Sequence, residues 1–416
     1  MDREGRGHHG DIHKFIRNAV KAIRDQNQRN QISGKVGMDR GGILTDSVID
    51  SLDYELDTLL VSEREIELNV VGILNDIANN NNNNNDTPVD SFFQRWDNFC
   101  QSVQTRDTES HEIAFPLNIK YTGISDMPES FEAEGISFVQ IPHVSWKNKY
   151  ESVAVEESQE LTQWKGMKQF EFFMKRLPEE NPFSLRHTYW KAEIETSDPR
   201  YAIDRVATSL RTLLGLMNFA IHYGRRETED RSWSINNMWQ SGWSDLRIPP
   251  TYIHFVDEEY YTFYTTSDLS PRDPVKMTKS KREPFEELIA DLPAFSSEDK
   301  ADPALVQSYR LFQSGITDPS HKQSFLSYWR ALEILVTGIK ENCESKTTID
   351  RSLAFTYSDI PSLMSDRSEQ LANKRNQLVH EGKGYRISKK DTNFLKQLLD
   401  NVLYLLTIEG KDRPVE

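Results

Sequence analysis

Near the C-terminus, Asn373-Lys374-Arg375-Asn376-Gln377-Leu378-Val379-His380-Glu381-Gly382 brings together three side chains suited to a phosphate ester. An arginine is always charged, and its planar fork matches phosphate oxygens. A histidine titrates near neutrality, so it can take a proton from an attacking hydroxyl or give one to a leaving oxygen. An asparagine beside them can hydrogen-bond the phosphate or orient the imidazole. Leu371, Leu378 and Val379 keep helical spacing behind these residues, and Gly382 stands where a helix end favours a left-handed residue. At about 100° per residue, Asn376 and His380 share a face, whereas Arg375 lies about 140° from His380. A second copy of the helix alongside would close that gap.

The bare spacing of an arginine followed five residues later by a histidine also occurs at Arg3/His8 and Arg106/His111. Neither pair sits in a capped apolar helix, so the surrounding elements must decide. Lys374, Arg375, Lys383, Arg386, Lys389, Lys390 and Lys396 form a local basic cluster, opposed only by Glu381 and Asp391. It reads either as a solvated helix end or as an anion-binding face, in which Lys374, Lys383 and Arg386 would meet a nucleic-acid backbone.

The chain has 416 residues and a net charge of -15, which argues against general coating of nucleic acid but leaves room for a local basic site. No apolar run approaches the roughly 20 residues of a bilayer span, and the start of the sequence has no signal-peptide core, so a cytoplasmic location is expected. Cys100 and Cys343 supply neither a disulfide framework nor a four-ligand zinc site. His8, His9, Asp11 and His13 lack a supporting frame and read as chance. No metal or cofactor is expected. The sequence contains no G-x-S-x-G, H-E-x-x-H or kinase-like set, and the glycines at 34–42 lack the phosphate-loop pattern.

The periodicities predict an α+β multidomain chain. A mainly helical N-terminal region, 1–78, contains helices from Ile12 to about Gln26 and from about Thr45 to Ala78. An asparagine-rich linker covers 79–87. A mixed α+β region, 88–295, follows, opening with a short helix carrying Phe92, Phe93, Trp96 and Phe99. It continues with an alternating, half-buried strand at 113–121 and strand segments at 131–141 and 188–194. A helix runs from Pro199 to Gly224, and a hairpin turns at Asp257-Glu258-Glu259. The aromatics Trp233, Trp239, Trp243, Tyr260, Tyr261 and Tyr264 read as core in preference to a base-stacking platform.

Residues 303–410 read as an all-α bundle. Asp302-Pro303 and Asp318-Pro319 open helices, and another runs near 348–357. The motif helix spans about 365–381, and a last one opens at Ser388-Lys-Lys-Asp391, a capping-box pattern. Glu333 falls on or beside the buried stripe of its helix and needs a partner there. That partner is either an ordinary core salt bridge or the motif residues Arg375 and His380.

The order of a helix Phe325-Leu-Ser-Tyr-Trp329-Arg330-Ala-Leu-Glu333-Ile-Leu, a helix ending Lys374-Arg375-Asn376-Gln-Leu-Val-His380-Glu-Gly382, and a final apolar helix resembles the HEPN superfamily. Within it, the likeness is to ApeA-like HEPN domain proteins, over roughly the last quarter of the chain. The resemblance implies a metal-independent endoribonuclease with Arg375, Asn376 and His380 as its catalytic set and Glu333 in support. It also implies a homodimer through the C-terminal bundle and a role as a toxin or antiviral effector. RNA carries the 2′-OH such a reaction requires. By analogy, 88–295 would be a sensor for a regulatory protein or ligand. The alternatives are a non-catalytic HEPN module that binds RNA, a nucleotide or a partner protein, and a helical scaffold whose Arg375 and His380 merely cap a helix.

Overall fold

The computed structural model describes residues 9–33, 48–49, 52, 59–79, 87–121, 130–154, 156, 188–224, 245–266, 275–277, 302–318, 320–337, 345–360, 362–380 and 386–414. The chain is mixed α+β with a helical C-terminal part. It divides into two compact units, Met1–His111 with Ile194–Arg205 and Glu112–Glu193 with Val206–Glu416.

The first unit is built on α1 (His9–Ser33), α2 (Glu63–Asn79) and α3 (Pro88–Gln104). Ile12, Ile16 and Val20 of α1, Ile66, Val70 and Leu74 of α2, and Phe92 and Trp96 of α3 share one core. α1 runs past the Gln26 expected from its stripe. The helix read across 45–78 is interrupted, because residues 59–62 are not helical and α2 starts at Glu63. Ser62 explains the break. Its Oγ accepts from the Glu65 amide at 3.4 Å, as an N-cap does, and Ser62-Glu-Arg-Glu65 is itself a capping-box pattern.

α3 belongs with α1 and α2 by its contacts, although the sequence reading set it at the head of the 88–295 region. Two fully buried aromatics, Phe92 and Trp96, need an apolar partner, and the stripes of α1 and α2 supply it. The asparagine run at 80–85 and the glycine joint at 34–42 lie outside the described residues. Asp198 accepts from the Arg200 amide at 2.8 Å and from the Ser62 amide at 2.6 Å. Those bonds and their neighbours outweigh burial and hold its carboxyl below the usual range.

The second unit holds most of β1 (Glu109–Leu117), all of β2 (Ile119–Tyr121), β3 (Ser130–Ala133) and β4 (Ile136–Ile141), and β5 (Thr188–Thr196) as far as Glu193. After α4 (Pro199–His222) come β6 (Thr251–Val256), β7 (Glu259–Thr265) and β8 (Val275–Met277). The six-stranded sheet has the order β3-β4-β5-β1-β6-β7, while β2 and β8 pair in parallel by themselves. The β3–β4, β4–β5 and β6–β7 pairs are antiparallel.

Two strand readings need correction. The 131–141 segment is a hairpin, because Glu134 and Gly135 take φ of 52° and 76°, the two-residue turn that matches strand twist. The 113–121 segment is not one half-buried strand. Ile113, Ala114, Phe115 and Leu117 are all buried, as suits an inner strand covered on both faces, and Asn118 breaks the run before β2. Its side chain donates to the Asp245 carbonyl (2.8 Å) and accepts from the Arg247 amide (3.0 Å). Asn218 of α4 bonds both the amide and the carbonyl of Leu246. Two asparagines thus stand in for the neighbouring strands that 245–247 lacks.

The C-terminal part comprises α5 (Pro303–Thr317), α6 (His321–Thr337), α7 (Ser345–Thr356), α8 (Ser362–His380) and α9 (Lys389–Thr407). Their core includes Tyr309, Phe312, Trp329, Leu332, Ile349, Leu371 and Leu399, and Leu216 and Phe219 of α4 join it. The approach of α4 to α5 is close enough to require Gly215, where a Cβ would stand 2.3 Å from the Tyr309 carbonyl oxygen. α4 from Val206 onward and α5 fall in one unit, and no division between units falls near 295–303.

Candidate functional site

Four helices position the residues singled out in the sequence. α6 carries Glu333, only 3% exposed. Its Oε2 accepts from Arg330 Nη1 at 2.7 Å, one turn earlier, and its Oε1 lies 3.8 Å from Arg375 Nη2 of α8. A buried carboxylate thus faces two guanidiniums, which relieves the cost of taking its charge out of water. Of the two partners considered for Glu333, the structure shows an ion pair with its own helix and one with the motif arginine. The Arg375 side chain retains 21% of its exposure.

Asn376 is exposed beside it, and its Oδ1 accepts from Ser345 Oγ at 2.5 Å and from Arg375 Nη1 at 3.4 Å. Ser345 is the first residue of α7, three residues ahead of the helix start read from sequence. Neither Arg330 nor Ser345 stands out as a partner in the sequence. An arginine one turn before a buried glutamate, and a serine opening a helix, are the signals that would have found them.

α8 runs unbroken to His380, so positions 376 and 380 stand one turn apart on the helix. The His380 side chain and Lys383 lie outside the described residues. Arg386 is exposed. Lys374 donates to Asp391 Oδ2 at 2.7 Å, and Arg367 bonds the other oxygen of that carboxylate. Asp391 is fully buried and closes the capping box of α9 with Ser388, the arrangement read from Ser388-Lys-Lys-Asp391. Burial alone would raise its carboxyl. Lys374, the Ser388 hydroxyl and amide, and Arg367 together hold it below the usual carboxylate range.

Lys396 does not belong to the basic cluster as a surface charge. It is 2% exposed and donates to Asp400 Oδ2 (2.6 Å) and to the His222 carbonyl (2.9 Å). Of the other arginine–histidine spacings, the described one, Arg106/His111, is not a site of this kind. Arg106 pairs with Glu65 at 2.7 Å, His111 is buried against the Thr196 carbonyl, and Arg3 and His8 lie outside the described residues. Of the aromatic set, Tyr260 packs on Phe255 and Tyr261 and Tyr264 on His254, but Tyr261 is exposed and the other two only half-buried, so the core reading fails for Tyr261 on this hairpin. Trp233, Trp239 and Trp243 are outside the described residues.

What α6, α7 and α8 assemble is a small set of donors, Arg375 and Asn376, backed by buried groups that fix them. No family model, curated protein or solved structure matches the chain. Among the described residues, no helix is long and apolar enough to cross a membrane.

Proposed function

We propose that the C-terminal helices form a HEPN-type endoribonuclease centre that cleaves RNA by attack of its own 2′-OH. The observation that carries this reading is the anchoring of Arg375. Its guanidinium rests on the buried carboxylate of Glu333 and stays partly exposed next to Asn376, one helical turn before His380.

In this reaction the 2′-oxygen bonds to phosphorus and the bond from phosphorus to the 5′-oxygen breaks. A 2′,3′-cyclic phosphate and a 5′-hydroxyl result. His380 removes the 2′ proton or protonates the leaving oxygen. Arg375 and Asn376 donate to the non-bridging oxygens, where negative charge accumulates. Because Arg375 and His380 diverge on one helix, the cleft is completed by a second copy of the chain. The C-terminal domain then acts as a toxin or antiviral effector, and the preceding regions regulate it.

The second reading is a non-catalytic module that binds RNA, a nucleotide or a partner protein, and one observation favours its nucleotide- or partner-binding form: Lys374 is already committed to Asp391, which leaves fewer cations for a strand. Purified wild type and His380→Ala, incubated with total RNA, separate the two. Loss of cleavage in the variant, with sizing and circular dichroism unchanged, supports the enzyme. Undiminished cleavage removes His380 from the mechanism, and no cleavage by either protein leaves the binding module.

A further inference from the structure

We infer that Ser345 is a positioning residue, which locks the Asn376 amide so that Asn376 and Arg375 form a donor-only seat for phosphodiester oxygens. The inference deepens the ribonuclease reading and rests on it for the nature of the ligand. The hydrogen bonds themselves fix the orientation of the amide. A guanidinium carries donors only, so the Asn376 atom facing Arg375 Nη1 must be Oδ1. Ser345 Oγ meets the same oxygen at 2.5 Å and therefore donates its proton to it.

Both acceptor positions of the amide are then occupied from inside. The Nδ2 group keeps two hydrogens, and among the described residues none accepts from it. The second nitrogen of Arg375, Nη2, faces Glu333 in the same inward sense. The Asn376 Oδ1 and both Glu333 carboxylate oxygens face protein donors, while Asn376 is exposed and offers N–H groups beside a guanidinium. Such a surface suits phosphate oxygens, which accept only, and repels ammonium groups.

Without the Ser345 hydroxyl, Asn376 keeps only the long 3.4 Å bond to Arg375, and its amide can turn its carbonyl toward the phosphate. Ser345 is 6% exposed, so it acts through Asn376 and does not itself meet a ligand.

The test uses full-length protein and a mixed-sequence RNA oligomer, 2′-O-methylated throughout so that it cannot be cleaved, read by fluorescence anisotropy. Ser345→Ala should bind about fivefold more weakly, the equivalent of one hydrogen bond. Ser345→Thr, which keeps the hydroxyl, should restore binding, and Ser345→Ala should add nothing to the loss in Asn376→Ala. Equal affinity of wild type and Ser345→Ala, failure of the threonine to rescue, or additive losses would each overturn the proposal.

Melting temperatures accompany each variant. If Ser345→Ala melts early, the serine-to-threonine comparison still decides. A parallel titration with inorganic phosphate separates this proposal from the reading beneath it. Wild type that binds phosphate more tightly than Ser345→Ala but cleaves no RNA keeps the seat and loses the enzyme. Wild type that cleaves RNA while Ser345→Ala matches it in phosphate and oligomer binding keeps the enzyme and loses the seat.

Discussion

Asp391→Asn is the perturbation whose size and pH dependence follow most directly from the geometry. The carboxylate is fully buried and has four donors besides its place in the helix. Ser388 N and Oγ reach Oδ2 at 2.8 and 2.6 Å, Lys374 Nζ reaches it at 2.7 Å, and Arg367 holds Oδ1. An asparagine keeps one acceptor oxygen and the shape but loses both ion pairs. The cap side of the loss is about 1 kcal/mol. Lys374 and Arg367 keep 25% and 27% of their side-chain exposure, so solvent screening limits each pair to about 1 kcal/mol. The neutral amide is cheaper to bury, which offsets part of this and leaves about 2 kcal/mol. With a urea slope of about 2–3 kcal/mol/M, the midpoint should fall by roughly 0.7–1 M at pH 7. The carboxyl is held low in the folded chain, whereas an unfolded aspartate titrates near about 3.9. The advantage of wild type is therefore complete above that value and lost as the pH falls through the lower folded one. Urea melts of both proteins from pH 7 downwards measure it. A gap below about 0.5 kcal/mol at pH 7, or one that does not shrink under acid, refutes the ion-pair account of Asp391.

The same substitution frees Lys374, so Asp391→Asn should bind single-stranded RNA more tightly at low salt, with a log–log salt slope steeper by about 0.7 per added phosphate contact. Glu333→Gln leaves Arg375 beside a neutral group. It should cost about 1–3 kcal/mol in denaturant melts and lower RNA cleavage by loosening the guanidinium. Unchanged melting together with unchanged cleavage would count against the anchor. Asn218→Ala removes three buried bonds, one of them to Gln313, and leaves the Leu246 amide without its acceptor. A loss of about 2–4 kcal/mol is expected, with faster hydrogen exchange at the Leu246 amide as the specific readout.

The elements that could be read correctly in the sequence carry their mechanism within a few residues. The Ser388/Asp391 capping box, the Asp302 cap before Pro303, the hairpin turn at Asp257-Glu258 and the end of α4 before Gly224 are of this kind. Each is fixed by a local hydrogen bond or by a φ that few residues adopt. What could not be read depends on distant partners. Asn118 breaks its strand because its amide bonds residues 127 and 129 positions away. α3 joins the first unit because α1 and α2 offer the apolar surface that Trp96 needs. Glu333 was legible as a buried charge in want of a partner, whereas its choice of Arg375 required knowing how α6 and α8 pack. Ser345 and Asn376 lie 31 residues apart in the chain on different helices, and no period or motif links them.

The basic cluster shows why a run of charges in sequence is a poor measure of a charged surface. Lys396 and Asp400, four apart, sit on α9 directly after Leu395 and Leu399, where the helix is buried on several sides. Burial pushes the Asp400 carboxyl up against the pull of Lys396, and the pair points its charges at each other and at the backbone of His222 and Gly224. Lys374 is absorbed by Asp391 and Arg375 leans on Glu333. Three of the seven cations thus face carboxylates, and the chain as a whole is at -15. A long-range field is therefore a poor means of drawing a polyanion to this surface. On the proposed ribonuclease reading, recognition would fall instead to a few oriented donors at close range, which suits engagement of one phosphate better than tracking along a strand. A shallow salt dependence of RNA binding in the wild type is the consequence, and a steep one would require cations beyond Arg375 to be engaged.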